Sequence, residues 1–242
     1  LSTAMAATML LTGSISVQAA DAAAANDPAV ELIFTSVSVS GDSHTEAMYE
    51  FADKVEELSG GSVTCKCYDN GSLFSSENEF DALLNGDADL AYISFPTIAT
   101  QIPSYSMFAS GYLFSSYEHM TSVLNGDIGL NKIRPQIEET LNIKPLSSFY
   151  LGSRVINTRE KEINSYDDMN GLLLRMPNSE AWLFLGEALG ANPTPLSFSE
   201  LYTALQTGAV DAQDNPLPSI ESAKFYEVTK YIAITNHVVD SI

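Results

Sequence analysis

The chain has 242 residues, 45% of them apolar and 10% aromatic, which places it among globular proteins with room for one large core or two smaller ones. Its 31 Asp and Glu against 11 Lys and Arg give a formal net charge of −20. So acidic a surface excludes nucleic acid and anionic lipid as partners for the face as a whole, and it makes each of the four arginines, Arg134, Arg154, Arg159 and Arg175, informative.

In chain order, "LSTAMAATMLLTGSISVQAADAAAAN" is small and apolar, then Ala-rich, like the apolar region and cleavage site of a secretory signal peptide, with cleavage near Ala19. The run is too short and too rich in Ser and Thr for a membrane span, so export without direct membrane insertion is expected. "LLTGS" places Ser14 where a lipid-bearing Cys would stand, so no lipid anchor is expected. Residues 1–27 are thus read as a partial signal peptide and leader.

"VELIFTSVSVS" (30–40) is β-branched and partly alternating, a first strand. A helix follows, with Ser43 and Glu46 spaced as a capping box, Ala47, Phe51, Val55 and Leu58 on one face, and Gly60 and Gly61 as its stop. "SVTCKCYD" reads as a second strand. Its Cys65 and Cys67 fall on one face about 6.5 Å apart along the strand, an awkward disulfide geometry, so they are read as buried thiols, with no metal site because further ligands are lacking nearby.

"SENEFDALLNG" repeats the helix pattern, with Ser76 and Glu79 as a capping box and Gly86 as its stop, and "DADLAYISF" is a third strand. From about Pro96 to Phe114 the chain is aromatic and irregular. Helices are expected over 116–125 and 128–141 and strands over 143–150 and 152–158. The alternation then resumes: "GLLLRMP" strand, "SEAWLFLGEALG" helix, "SFSELYTALQTG" helix, "AVDAQDN" strand, a helix near 216–223 and a strand near 229–235. Such alternation predicts an α/β fold.

"ALLNGDADLA" (82–91) and "ALQTGAVDAQ" (204–213) share a helix that ends at Gly and feeds a strand, which suggests two similar lobes joined near 150–155. Ligands of two-lobed α/β proteins sit in the cleft, near the carboxyl ends of strands.

Two motifs carry possible chemistry. "GDSH" (41–44) stands where a GDS-type esterase would hold a nucleophilic Ser43, yet none of His44, His119 and His237 has an Asp three residues before it to orient a base, so Ser43 is read as a helix cap. Phosphate loops, GxSxG elbows and HExxH are absent from the sequence, so no enzyme activity and no cofactor are expected.

The other motif is "GLLLRMP". Arg175 is a permanent cation in an apolar strand, where an unpaired charge would cost several kcal/mol. Its partner is either Asp167, Asp168 or Glu180, or a visiting carboxylate held bidentately. Asn178, Asn215 at the end of "AVDAQDN", Arg154 near the crossover and Phe198 could complete a site. Trp182 belongs with Leu185 and Leu189 in the core.

"INSYDDMNGLLLRMP" followed by "LGANPTPLSFSELYTALQTGAVDAQDNPL" resembles the substrate-binding proteins of TRAP (tripartite ATP-independent periplasmic) transporters, of DctP type. "FADKVEELSGGSVTCKCYDNGSL" and "LLNGDADLA" match the family's first lobe. The resemblance implies a periplasmic-binding-protein-like fold, with an N-terminal lobe over 28–152 and a second over 153–242, closing on a small organic acid that is delivered to a TRAP membrane permease. It places Arg175 on the ligand carboxylate, Arg154 as a second cationic contact, Asn178 and Asn215 as hydrogen-bonding groups, Phe198 as an aromatic wall and Ser94 as a polar contact. Family members continue past the point where this chain stops, so a C-terminally truncated second lobe is expected. A secreted Ser43 esterase, or a ligand-binding module of a signalling receptor, is the alternative reading.

Overall fold

The computed structural model describes residues 29–242, so the expected leader lies outside the described residues. Two α/β lobes account for the rest. In the first, β1 (Val30–Thr35) lies between β2 (Val63–Tyr68) and β3 (Leu90–Ala91), all parallel, in the order β2-β1-β3. The second sheet runs β6-β5-β7-β4-β8, from β4 (Tyr150–Thr158), β5 (Leu173–Met176), β6 (Asn192–Pro195), β7 (Ala212–Pro216) and β8 (Tyr231–Ala233), and β9 (Val239–Ser241) pairs with the start of β4. Within it, β5 is flanked in parallel by β6 and β7, which repeats the first lobe's order.

The repeated helix-Gly-strand step has a shared physical basis. Gly86 closes α2 (Glu79–Asn85) and Gly208 closes α7 (Leu201–Thr207), each at positive φ (77° and 81°), where a side chain would be strained. The aspartates that follow do the same job. Asp89 and Ile33 exchange two bonds, Asp89 N–H to the Ile33 carbonyl at 2.9 Å and Ile33 N–H to the Asp89 carboxylate at 2.8 Å. Asp211 and Leu173 do likewise at 2.9 and 3.0 Å.

Local departures from expectation have local causes. The cap of α1 (Ser43–Ser59) is Asp42, which accepts from the His44 N–H, and Ser43 is the first helical residue. The helix turns its Met48 and Ala52 inward, leaving Leu58 77% exposed, so the buried face is not the one expected. Asn78, not Ser76, precedes α2, and Ser76 bonds to the Glu77 carboxylate instead. Residues 143–149 form no strand, with only Phe149 exchanging backbone bonds with Ile242 (2.8 and 3.0 Å), and a single long β4 replaces the two strands expected there. Cys65 and Cys67 are free and half-buried rather than buried.

Around 96–114 the chain forms α3 (Phe95–Ile98) and a 3-10 helix over Pro103–Ala109. Then come α4 (Tyr117–Leu124) and α5 (Arg134–Leu141). Phe80, Phe95, Phe114, Met120 and Leu124 build the first lobe's core. In the second lobe α6 (Glu180–Ala188) buries Trp182 and Leu185 on one face of the sheet with Leu174 and Met176, while α7 and α8 (Leu217–Ser222) bury Leu201, Leu205 and Ile220 on the other. The end of the chain returns to the first lobe: Val239 packs on its core, and the Tyr112 N–H donates to the His237 carbonyl at 2.7 Å.

Candidate functional site

Parallel strands whose order reverses about a central strand leave a crevice at their carboxyl ends. A cavity of about 300 Å³ occupies that place here, within the range of small-molecule sites. Its walls include Val37 to Val39 after β1, Ile93 and Ser94 after β3, Pro177 to Ser179 after β5, Phe198 after β6 and Asn215 in β7. The six residues singled out from the sequence, Ser94, Arg154, Arg175, Asn178, Phe198 and Asn215, all line it.

Arg175 is 2% exposed. Its Nε donates to the Leu196 carbonyl at 2.8 Å, and the guanidinium stands 5.9 Å from the Phe198 ring centre. Among the described residues no carboxylate lies within ion-pair distance of it. The internal partners considered from sequence are otherwise disposed: Asp168 accepts from the backbone of Asn164 and Ser165, and Glu180 is exposed at the start of α6. Burial, helped by the nearby Arg154 charge, brings the Arg175 pKa down to about 10, so the group is still protonated at neutral pH.

Arg154 lines the same cavity under different terms. Nε and Nη2 take the two Asp214 oxygens at 2.8 Å each, and Nη1 takes Asp240 at 2.6 Å. The guanidinium also stacks on Trp182, 4.5 Å from the ring centre. Burial opposes the charge on both Arg154 and Asp214, but their pairing wins, holding the Asp214 carboxyl well below the usual range and the guanidinium above its own. Burial pushes Asp240 upward against the pull of Arg154. His237 Nε2 adds a 3.1 Å contact to Asp214. Arg154 therefore enters the wall with its charge already matched.

The remaining predicted residues are neutral. Asn215 is buried; its amide donates to Gln213 at 2.6 Å, and its carbonyl oxygen accepts from Arg154 at 3.3 Å. Asn178 is exposed at the rim. Phe198 is half-buried edge-on to Phe225, and its N–H reaches across the cleft to Ser76 at 3.3 Å. Ser94 precedes α3, its hydroxyl 3.0 Å from Thr97. Sequence reading missed the place of Asp214, Asp240 and Glu79 near the cavity; Asp214 stood next to Asn215 in a quoted strand, and Glu79 was read only as half of a capping box that the structure does not form. Glu79 is 3% exposed, and burial lifts its carboxyl pKa to about 8, opposed more weakly by the Thr35 hydroxyl.

Ser43 is exposed and outside this cavity, while the His44 ring engages Asp42 at 3.2 Å, so the esterase alternative gains no geometry.

Residues 34–242 match the family model for bacterial extracellular solute-binding proteins, family 7 (DctP). The chain belongs to this family. Among its DctP-family relatives, the sialic acid-binding periplasmic protein SiaP of Vibrio cholerae is 35% identical over 189 residues, covering 78% of this chain and 58% of SiaP. Among solved DctP-type structures, a TRAP periplasmic solute-binding protein of Roseobacter denitrificans with bound 3-deoxy-D-manno-oct-2-ulosonic acid superposes with a TM-score of 0.82 at 41% identity, over 89% of this chain and 70% of that one. The sugar acid binding protein of Advenella mimigardefordensis in complex with galactonate gives 0.84 at 31% identity, over 89% and 69%. The DctP chain described here thus spans a little over half the length of SiaP.

Proposed function

We propose that this chain is the ligand-capturing part of an extracytoplasmic receptor that binds an organic acid between two lobes and delivers it to a TRAP-type permease, without chemistry of its own. The observation that carries the reading is Arg175: a buried guanidinium on a cavity wall with no carboxylate beside it among the described residues. A ligand carboxylate is the group that completes it. The sialic acid, ulosonic acid and galactonate named for the relatives are all acids of this kind, which supports the same ligand class here.

In this reading Asn178, Asn215 and Ser94 supply hydrogen bonds, Phe198 supplies an apolar wall, and Arg154 contributes field and shape as a paired cation. We take residues 28–152 and 153–242 as the two lobes, joined at β4, with β9 returning against the first. Lobe closure is a population shift, because a ligand touching both walls binds the shut form better. Calorimetry with D-galactonate, D-glucuronate, 3-deoxy-D-manno-oct-2-ulosonate and succinate tests it. Arg175→Ala is expected to weaken binding by more than about 2 kcal/mol, the loss of a desolvated charge pair. An unchanged dissociation constant in that variant would sink the role given to Arg175.

A further inference from the structure

The two lobes repeat one unit closely enough for their positions to be compared. Asp89 clamps Ile33 as Asp211 clamps Leu173, and β1 pairs Thr35 with Ala91 as β5 pairs Arg175 with Gln213. Thr35 in the first lobe therefore occupies the position that Arg175 occupies in the second. The first residues of the helices that precede Gly86 and Gly208 correspond likewise, and these are Glu79 and Leu201.

At that corresponding place the second lobe has a leucine, 0% exposed, doing what packing asks. The first lobe has a carboxyl. Glu79 is 3% exposed, its Oε1 has no hydrogen-bond partner, and Thr35 Oγ1, 0% exposed, has none either. The Thr35 hydroxyl beside the Glu79 carboxyl opposes its burial only weakly, so these two buried polar groups carry a desolvation penalty that packing does not explain. Glu79 also lines the cavity that Arg175 enters from the other lobe.

Charge accounting along the same walls narrows what can fill the space between them. Arg154 is taken by Asp214 and Asp240, so Arg175 is the one cavity arginine still open to a carboxylate. No Lys or His lines the cavity among the described residues, whereas Asp42, Glu77 and Asp81 do.

We propose that Glu79 is the receptor's hydroxyl-recognising group: the ligand is a singly charged acid whose carboxylate meets Arg175 and whose hydroxylated far end bonds to Glu79, and dicarboxylates are rejected for want of a second open cation. This rests on the capture function proposed above and adds the ligand's other end. With its carboxyl held neutral up to about pH 8, Glu79 both donates and accepts near neutrality, which suits a hydroxyl better than an ammonium.

The test is calorimetry on the full chain with the same four acids, in wild type, Glu79→Leu, Glu79→Gln and Arg175→Ala, each first checked for folding by circular dichroism. At least one of the three hydroxylated acids is expected to bind wild type about tenfold or more tighter than succinate. Glu79→Leu should lose about tenfold or more for that acid while its affinity for succinate stays put, and Glu79→Gln, which keeps both hydrogen-bonding functions, should lose less than Glu79→Leu. Arg175→Ala separates the two claims. If it abolishes binding while Glu79→Leu leaves the hydroxylated acid untouched, the Glu79 assignment fails and the capture reading stands. If Arg175→Ala changes nothing, the capture reading itself fails. Succinate binding as tightly as the hydroxylated acids, or none of those three binding at all, also overturns the proposal.

Discussion

Arg154 and Arg175 are the same residue type in one cavity and should respond oppositely to removal. Lowering the Arg175 pKa from 12.5 to about 10 corresponds to a cost on the order of 3 kcal/mol for keeping it charged and buried without a counter-ion. Replacing it with Met keeps the side-chain volume and removes that cost, so the unliganded Arg175→Met chain should melt at a higher temperature than wild type while losing ligand-induced stabilisation. Arg154→Met leaves Asp214 and Asp240 buried without their cation, a change worth about 3–5 kcal/mol of destabilisation. Thermal denaturation of both variants checks the pair; equal effects would contradict the difference in their partners. Glu79 gives a pH signature. Its carboxyl rises from 4.5 unfolded to about 8 folded, so the stability it contributes is full below about pH 4.5 and is lost as pH climbs through 8. Glu79→Gln should therefore flatten the fall in melting temperature between those limits; a fall of wild-type steepness in Glu79→Gln would count against this.

At the scale of elements, the start of α1 separates two neighbours that look interchangeable in sequence. Asp42 caps the helix, and its other oxygen accepts from Ser222 across the cleft at 3.1 Å, whereas Ser43 faces solvent. Asp42→Ala is expected to cost about 1 kcal/mol or more in chemical denaturation, and Ser43→Ala close to nothing. Signals carried within a few residues were legible: the glycine stops, the "GLLLRMP" strand and the repeated helix-Gly-strand step all read correctly, because backbone φ and hydrophobic period are local. β6 was not, since "NPTP" holds two prolines; it survives as an edge strand paired only with β5, where a missing N–H can face outward. The site followed the same rule. Arg175 stood out as a cation in a run of leucines, but the partners of Arg154 lie 60 and 86 residues away, and no local pattern announces them.

The whole molecule sets the approach of its ligand. An anion must reach Arg175 through the field of a chain with a net charge of −20, so screening should help it arrive. Stopped-flow association with a binding acid is expected to speed up as salt rises from about 0.01 to 0.1 M, where the Debye length falls from about 30 to about 10 Å. Dissociation, governed by a buried pair, should change little. A falling association rate would mean that the local field at the cleft mouth outweighs the global one. Arg154 matters at this scale too. Its guanidinium joins β4 to Asp214 on β7 and Asp240 on β9, with Trp182 of α6 beneath it. Two sheet ladders and a helix are thereby pinned at one point, and in the closure proposed above they are expected to move as one piece. With those charges matched within one piece, that closure is expected to leave the cavity offering an incoming anion a single open cation, Arg175.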